Sequence, residues 1–167
     1  MLKSLNTQYA DRRLLGGTND SSSAFTYDAT TGAVSFNGTN VSLDTKDIVT
    51  DASVTPNKYT FGGKEITEAQ AKGQNYNRFE GTKSILIDVG LGIQFDSNGM
   101  IDPSTAMDIS LNGAQLTGCG TDADGDSKNL VQLTFDAAKA LRAGDTTKAT
   151  SLIDKIKSAN STLLIGI

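Results

Sequence analysis

Residues 130–145 read Leu130-Val131-Gln132-Leu133-Thr134-Phe135-Asp136-Ala137-Ala138-Lys139-Ala140-Leu141-Arg142-Ala143-Gly144-Asp145. Leu130, Leu133, Ala137 and Leu141 recur at intervals of three and four, the spacing that lines one face of an α-helix. Asp126 or Ser127 is the expected N-cap, and the helix should run to about Ala143. Gly144 can adopt the positive φ of a helix C-cap, and Asp145 can cap a second helix, so two successive helices with a bend are expected. The second continues the apolar spacing through Leu152, Ile153, Ile156 and Leu163 and shows no stop signal, as though it extends past Ile167. At the other end Leu2, Leu5 and Tyr9 are again three and four apart before Gly16 and Gly17, which predicts a helix there too. Amphipathic ends of this kind can bury their stripes on each other. The expected architecture is α+β: a discontinuous helical stem (1–17 plus 127–167) carrying an inserted β-rich, solvent-facing domain (18–126).

Between the ends the period changes from helical to alternating. Residues 18–23 are a polar loop. Phe25 and Tyr27 alternate with polar neighbours, 29–32 supply turn chemistry, and Val34 and Phe36 resume the alternation before Asn37-Gly38, a strong hairpin signal, with Val41 and Leu43 on the next strand. Tyr59 and Phe61 predict a strand ending at Gly62-Gly63, and Thr67 can cap a short helix over 68–72 closed by Gly73. Ile85 and Ile87 share a strand face. Leu91, Ile93 and Phe95 come next, then a turn at 96–99, and Met107, Ile109 and Leu111 repeat the pattern up to Asn112-Gly113.

Composition narrows the chemistry. The 167 residues contain no histidine and one cysteine, Cys119. That removes the commonest general base and transition-metal ligand, forbids an internal disulfide, and leaves Cys119 as a small inert filler. No apolar run of about eighteen residues suggests a membrane span, and the first residues lack a secretory signal. The net charge of −4 is unevenly spread: 1–17 with 127–167 carry nine Lys/Arg against four Asp/Glu, while 18–126 carry six against fifteen. Basic ends and an acidic insert disfavour nucleic-acid phosphates and anionic lipid at the insert.

Asp122-Ala123-Asp124-Gly125-Asp126 has the alternating carboxylates of a calcium loop, but the glycine falls fourth rather than sixth, and Leu133 stands where an EF-hand needs its bidentate Glu. The simpler expectation is favourable charge at a helix N-terminus, with no metal and no cofactor. Gly90-Leu91-Gly92 lacks the third glycine and the helix of a nucleotide turn. Asp88, Asp96, Asp102 and Asp108 have no spacing that would make two converge as acid and base. No catalytic residue is expected, and the aromatics read as strand residues facing a core.

At 6–18, through Asn6-Thr7-Gln8-Tyr9 and Arg12-Arg13-Leu14-Leu15-Gly16-Gly17-Thr18, the chain resembles the bacterial flagellin superfamily, and within it the hook-associated protein 3 family of the hook-filament junction. Arg12, Leu14, Gly17, Thr18, Phe25, Gly32, Phe36 and Gly38 fall where that family has a helix end, a loop, a phenylalanine and a glycine-flanked hairpin. The stretches 87–92, 107–113 and 130–145 look like its return to the helical stem. Arg13 and Leu15 stand where family members usually carry aromatics. The resemblance implies a non-catalytic structural subunit of the extracellular flagellum, exported without a cleaved signal, with hook-associated proteins and flagellin as partners. It also implies that this is the central part of a longer chain, monomeric by itself at micromolar concentration. A flagellin filament subunit, or a surface glycan or adhesion module using the aromatics and acidic loops, are the alternative readings.

Overall fold

The computed structural model describes residues 2–10, 12–19, 22–90, 92–97, 99–109 and 112–165, the last four without side chains. The elements in chain order are α1 (Leu2–Leu5), β1 (Gln8–Tyr9), β2 (Arg12–Arg13), β3 (Phe25–Asp28), β4 (Ala33–Phe36), β5 (Thr39–Asn40), β6 (Ile48–Asp51), β7 (Lys58–Phe61), β8 (Lys64–Ile66), α2 (Glu68–Lys72), β9 (Leu86–Asp88), β10 (Ala106–Asp108), α3 (Gly113–Thr117), α4 (Leu130–Arg142) and α5 (Thr146–Ile165), with 3-10 turns at Thr45–Asp47 and Asn75–Arg78. The fold is α+β.

Two three-stranded antiparallel meanders, β3-β4-β5 and β6-β7-β8, form the body. Each has a tight turn built on positive φ: Asn37 (47°) and Gly38 (78°) in the first, Gly62 (58°) and Gly63 (78°) in the second. Their inner faces supply Phe25, Val34, Phe36, Phe61 and Ile66 to one core, completed by Val41, Phe79, Ala114 and Val131. The rings interlock at centroid distances of 5.2 Å (Phe25–Phe36), 6.3 Å (Phe36–Phe79) and 5.6 Å (Phe61–Phe79), tilted or edge-on as ring quadrupoles favour.

The N-terminal helix is far shorter than its spacing predicts. It stops at Leu5 because the Asn6 side chain is taken by the edge of β3: its Nδ2 donates to the Phe25 carbonyl (2.7 Å), and its Oδ1 accepts from the Phe25 N–H (2.9 Å). A single isolated turn cannot compete with that pairing. The chain then turns through Ala10, at φ 49°, into the β1–β2 hairpin, and Arg13 Nη1 donates to the Asn6 carbonyl (2.6 Å). Leu2 and Leu5 pack on the phenylalanine core, which also receives Val131 of α4, whereas Tyr9 is 76% exposed. The two ends therefore meet through that core and not as paired helices.

The division at 126/127 is likewise crossed by packing. Val131 is buried among the strand phenylalanines, and Gln132 clamps β4: its Oε1 accepts from the Val34 N–H (2.6 Å) and its Nε2 donates to the Gly32 carbonyl (2.9 Å). Tyr27 stacks on Phe135 at 4.2 Å. On its other face α4 offers Leu133 and Ala137 to Leu152 of α5, with Ala140 and Ile156 at the margin. Of the other residues expected in a packed stem, Leu130 is half-buried, Leu141 is 55% exposed beside the bend, and Ile153 is exposed; the Leu163 side chain lies outside the described residues. Leu141 misses cover because Gly144, at φ 76°, turns α5 back before its side can be roofed.

The N-cap of α4 is Asn129, not Asp126 or Ser127. Its Oδ1 accepts from Val131 and Gln132 N–H groups (3.0 and 3.1 Å), and its Nδ2 donates to Thr117 Oγ1 (2.8 Å) and the Gly118 carbonyl (2.6 Å). All of its polar capacity is used in a fully buried position. Asn112, expected in a turn, instead caps α3 by accepting from the Gln115 N–H (2.8 Å).

Candidate functional site

Three surfaces can be weighed for function. In the loop ahead of α4, Asp122 Oδ1 accepts from the N–H groups of Asp124 (3.0 Å) and Asp126 (2.9 Å), which folds the aspartates into a tight ring. Among the described residues these three form the group of acidic side chains close enough to share a cation. The cation they hold is Lys155. Its Nζ, reaching back from α5, donates to Asp122 Oδ2 (2.7 Å), Asp124 Oδ2 (2.9 Å) and Asp126 Oδ2 (2.6 Å), while Lys148 Nζ donates to Asp126 Oδ1 (2.6 Å).

The Lys155 hydrogen bonds hold the Asp122 carboxyl below the usual range. Burial pushes Asp126 up, but the hydrogen bonds and charges of Lys148 and Lys155 outweigh it, so its net shift is also down. Lys155 itself is held well above an ordinary lysine by the three carboxylates. The acidic loop thus neutralises α5 side chains, which corrects its expected role as charge for the α4 N-terminus. Periodicity could not show that pairing, because a loop and a helix about thirty residues apart carry no joint signal.

The second surface is the arm between 84 and 109. β9 and β10 pair antiparallel, with Ile87 opposite Met107, and the ladder continues through Val89 N–H to the Thr105 carbonyl (3.3 Å) and Ile109 N–H to the Ile85 carbonyl (2.9 Å). Alternation places Ile87, Val89, Met107 and Ile109 on one face. All four are exposed, as are Ile93, Phe95 and Met100 in the distal loop; Ala106 and Thr105 are the buried exceptions. In the described part of the stretch 91–95, where a strand is expected, Phe95 forms a bridge with Ile101. Leu91 and Leu111 lie outside the described residues. Asp88 accepts from Gly90 and Gly92 N–H groups, Asp96 from Met100 and Asp102 from Ser104, so these carboxylates close turns.

The third is a concavity of about 610 Å³ beside β7 and α2, lined by residues including Val54, Pro56, Lys58, Tyr59, Glu65 and Ile66. It contains one aromatic side chain, Tyr59, and the aspartate ring is not part of its lining.

The eight residues carrying the family resemblance serve mainly to build the fold. Phe25 and Phe36 are buried core rings. Gly17, at φ 65°, lies so close to the Gly81 carbonyl that a Cβ would sit 1.8 Å from its oxygen, and the Thr18 N–H donates to that oxygen at 2.9 Å. Gly32 and Gly38 hold positive φ in the hairpin turns, whereas Arg12, Leu14 and Thr18 are exposed. Cys119 is half-buried, and burial pushes its thiol up to about 11, against a hydrogen bond from Asn75 that lowers it; it is a protonated filler at neutral pH.

Sequence reading missed Arg78. It is buried over the Phe61 ring (5.8 Å), and its Nη2 donates to the carbonyls of Ala71 (3.1 Å) and Gly73 (3.0 Å) at the end of α2. Nothing but its place just before Phe79 hinted at burial. Among the described residues no helix is long and apolar enough to cross a membrane. No family model, no curated protein and no solved structure matches this chain. The fold and surfaces define an α+β protein with a tightly packed aromatic core and an exposed apolar arm.

Proposed function

We propose that this chain is part of a structural subunit of the bacterial flagellum, joining hook to filament as in the hook-associated protein 3 family, with no catalytic role. The observation that carries the reading is the run of residues from Arg12 to Gly38 that resembles that family. Its phenylalanines and glycines occupy positions where substitution is costly, Gly17 above all. An arm displaying an apolar strand face suits a protein whose work is contact with neighbouring subunits. The partners are then hook-associated proteins and flagellin outside the cell. The filament subunit itself is the second reading, favoured by Arg13 and Leu15 where the junction family carries aromatics.

Deleting the gene that encodes this chain from a motile cell discriminates these readings. The junction role predicts hooks without filaments and flagellin lost to the medium; the filament role predicts hooks without filaments and no flagellin in the medium. Normal filaments and swimming would contradict both.

A further inference from the structure

We propose that Asn37 is a modification site guarded by the fold: once the chain opens, its side-chain amide is lost as ammonia, and the altered chain no longer rebuilds the junction of the first meander with Gly16 and Glu80. The inference goes beyond the flagellar reading and does not depend on it. Asn37 is followed by Gly38, which has no side chain to shield its backbone nitrogen. That nitrogen, on giving up its proton to water or hydroxide, attacks Asn37 Cγ. A C–N bond closes a five-membered succinimide, and the Cγ–Nδ2 bond breaks as Nδ2 takes up a proton and leaves as ammonia. Water then opens the ring at one of its two carbonyls, which yields aspartate at 37 or an isoaspartate whose main chain runs through Cγ. Water is the sole co-reactant, and nothing is oxidised or reduced.

The native geometry opposes the attack. Asn37 is 5% exposed, at φ 47° in the turn between β4 and β5. The departing atom, Nδ2, donates to the carbonyls of Gly16 (3.2 Å) and Glu80 (2.7 Å), and the residue's own N–H donates to the Ala24 carbonyl (2.7 Å). Lys64 Nζ donates to the Asn37 carbonyl (2.8 Å) and to the Glu80 carboxylate (2.9 Å). Ring closure fixes the backbone and side-chain torsions of Asn37 together, so these contacts must break first. The same contacts make the product harmful. A carboxylate only accepts, and in the place of Nδ2 it would face two carbonyl oxygens in a buried site. An isoaspartate also adds a main-chain atom to a turn whose register sets Phe36 opposite both Phe25 and Thr39. Asn40 is the contrast: its Oδ1 accepts from the Ser42 N–H (2.8 Å), a role that a carboxylate keeps.

Ageing the whole chain at mildly alkaline pH, in buffer and in urea, tests this, with the acid content at 37 read from the fragment masses of its peptides. Conversion at 37 should be at least about tenfold slower in buffer, because the reaction then waits on opening of the turn. In urea Gly38→Ala should slow it, since a methyl group shields the attacking nitrogen. Asn37→Asp, which supplies one product directly, should unfold at a lower urea concentration than the wild type, whereas Asn40→Asp should keep the wild-type midpoint. An Asn37→Asp chain that fails to fold beside a folded Asn40→Asp is the same loss in its extreme form. Equal conversion in buffer and urea, a Gly38→Ala chain that converts as fast as the wild type in urea, or an Asn37→Asp midpoint no lower than that of Asn40→Asp overturns the proposal.

Discussion

The two meanders and the arm use the same alternating code and end in opposite states. In β3 and β4, Phe25, Val34 and Phe36 face inward and are sealed, whereas in β9 and β10 the equivalent apolar positions face water. The difference lies in what fastens each strand. The edge of β3 is held by the Asn6 side chain, β4 by Gln132, and the turn after β4 by Asn37, whose Nδ2 donates to the carbonyls of Gly16 (3.2 Å) and Glu80 (2.7 Å). Each clamp ties the sheet to a distant segment and draws that segment over it. The arm's aspartates Asp88, Asp96 and Asp102 instead accept from N–H groups two to four residues ahead in the chain and close its turns. Alternation specifies a strand with two unlike faces; long-range amides decide whether the apolar one is covered.

Truncating a ring in each region should give the widest contrast. Phe36→Ala removes a fully buried ring and should cost about 3–5 kcal/mol, while Phe95→Ala, at 65% exposure, should stay within about 0.5 kcal/mol, both by urea unfolding. Equal losses would erase the distinction between core and arm.

Gly17 marks the seam where the two regions are rooted. A Cβ there meets the Gly81 carbonyl oxygen at 1.8 Å and Asn112 Cβ at 3.4 Å, on a backbone at φ 65°. Backbone cannot yield as a flexible side chain can, so Gly17→Ala should destabilise by about 3 kcal/mol. Gly32→Ala, with open space around it, bears only the positive-φ strain and should cost about 1 kcal/mol. Matching losses in denaturant titrations would show that close packing at the seam is unimportant.

In the helical pair the contrast is narrower. Leu152→Ala empties a buried site against Leu133 and Ala137 and should cost about 2–3 kcal/mol, whereas half-buried Ile156→Ala should cost about 1 kcal/mol. The reverse order would place Ile156, not Leu152, at the centre of the α4–α5 contact.

The smallest effect belongs to the aspartate ring, and it depends on pH. Carboxylates lowered by Lys155 and Lys148 add stability that is present above about pH 4 and lost as pH falls through their folded values. Lys155, raised by the same contacts, adds stability present below about pH 10 and lost as pH rises through its higher folded value. Lys155→Met should lower the melting temperature between about pH 5 and 9, with the gap to wild type closing in acid. Calcium should leave the wild-type melting curve unmoved, because the lysine already holds the three oxygens. A constant gap at every pH would mean that the residue acts through its aliphatic stem alone.

Legibility followed the range of the interactions. Thr67 capping 68–72, Asn37-Gly38, Gly62-Gly63 and the Gly144-Asp145 break are local, and the structure has each where its residues predict it. Leu2, Leu5 and Tyr9 misled because three correctly spaced residues do not reveal that Asn6 is claimed by a strand nineteen residues away. Asn112 and Asn129 were obscured for the same reason: each is a turn former by type, and the helix it caps shows only once its neighbours are packed. Lys155 could be read only as a charge on a helix, since its partners lie in a separate loop.

Hydrogen exchange of the whole chain, followed peptide by peptide at about 10 µM and about 500 µM, measures the division between core and arm most directly. Amides of 25–36 and 131–137 should exchange slowly and equally at both concentrations. Those of 85–89 and 105–109 should exchange quickly at both. An arm as protected as the core would contradict the account.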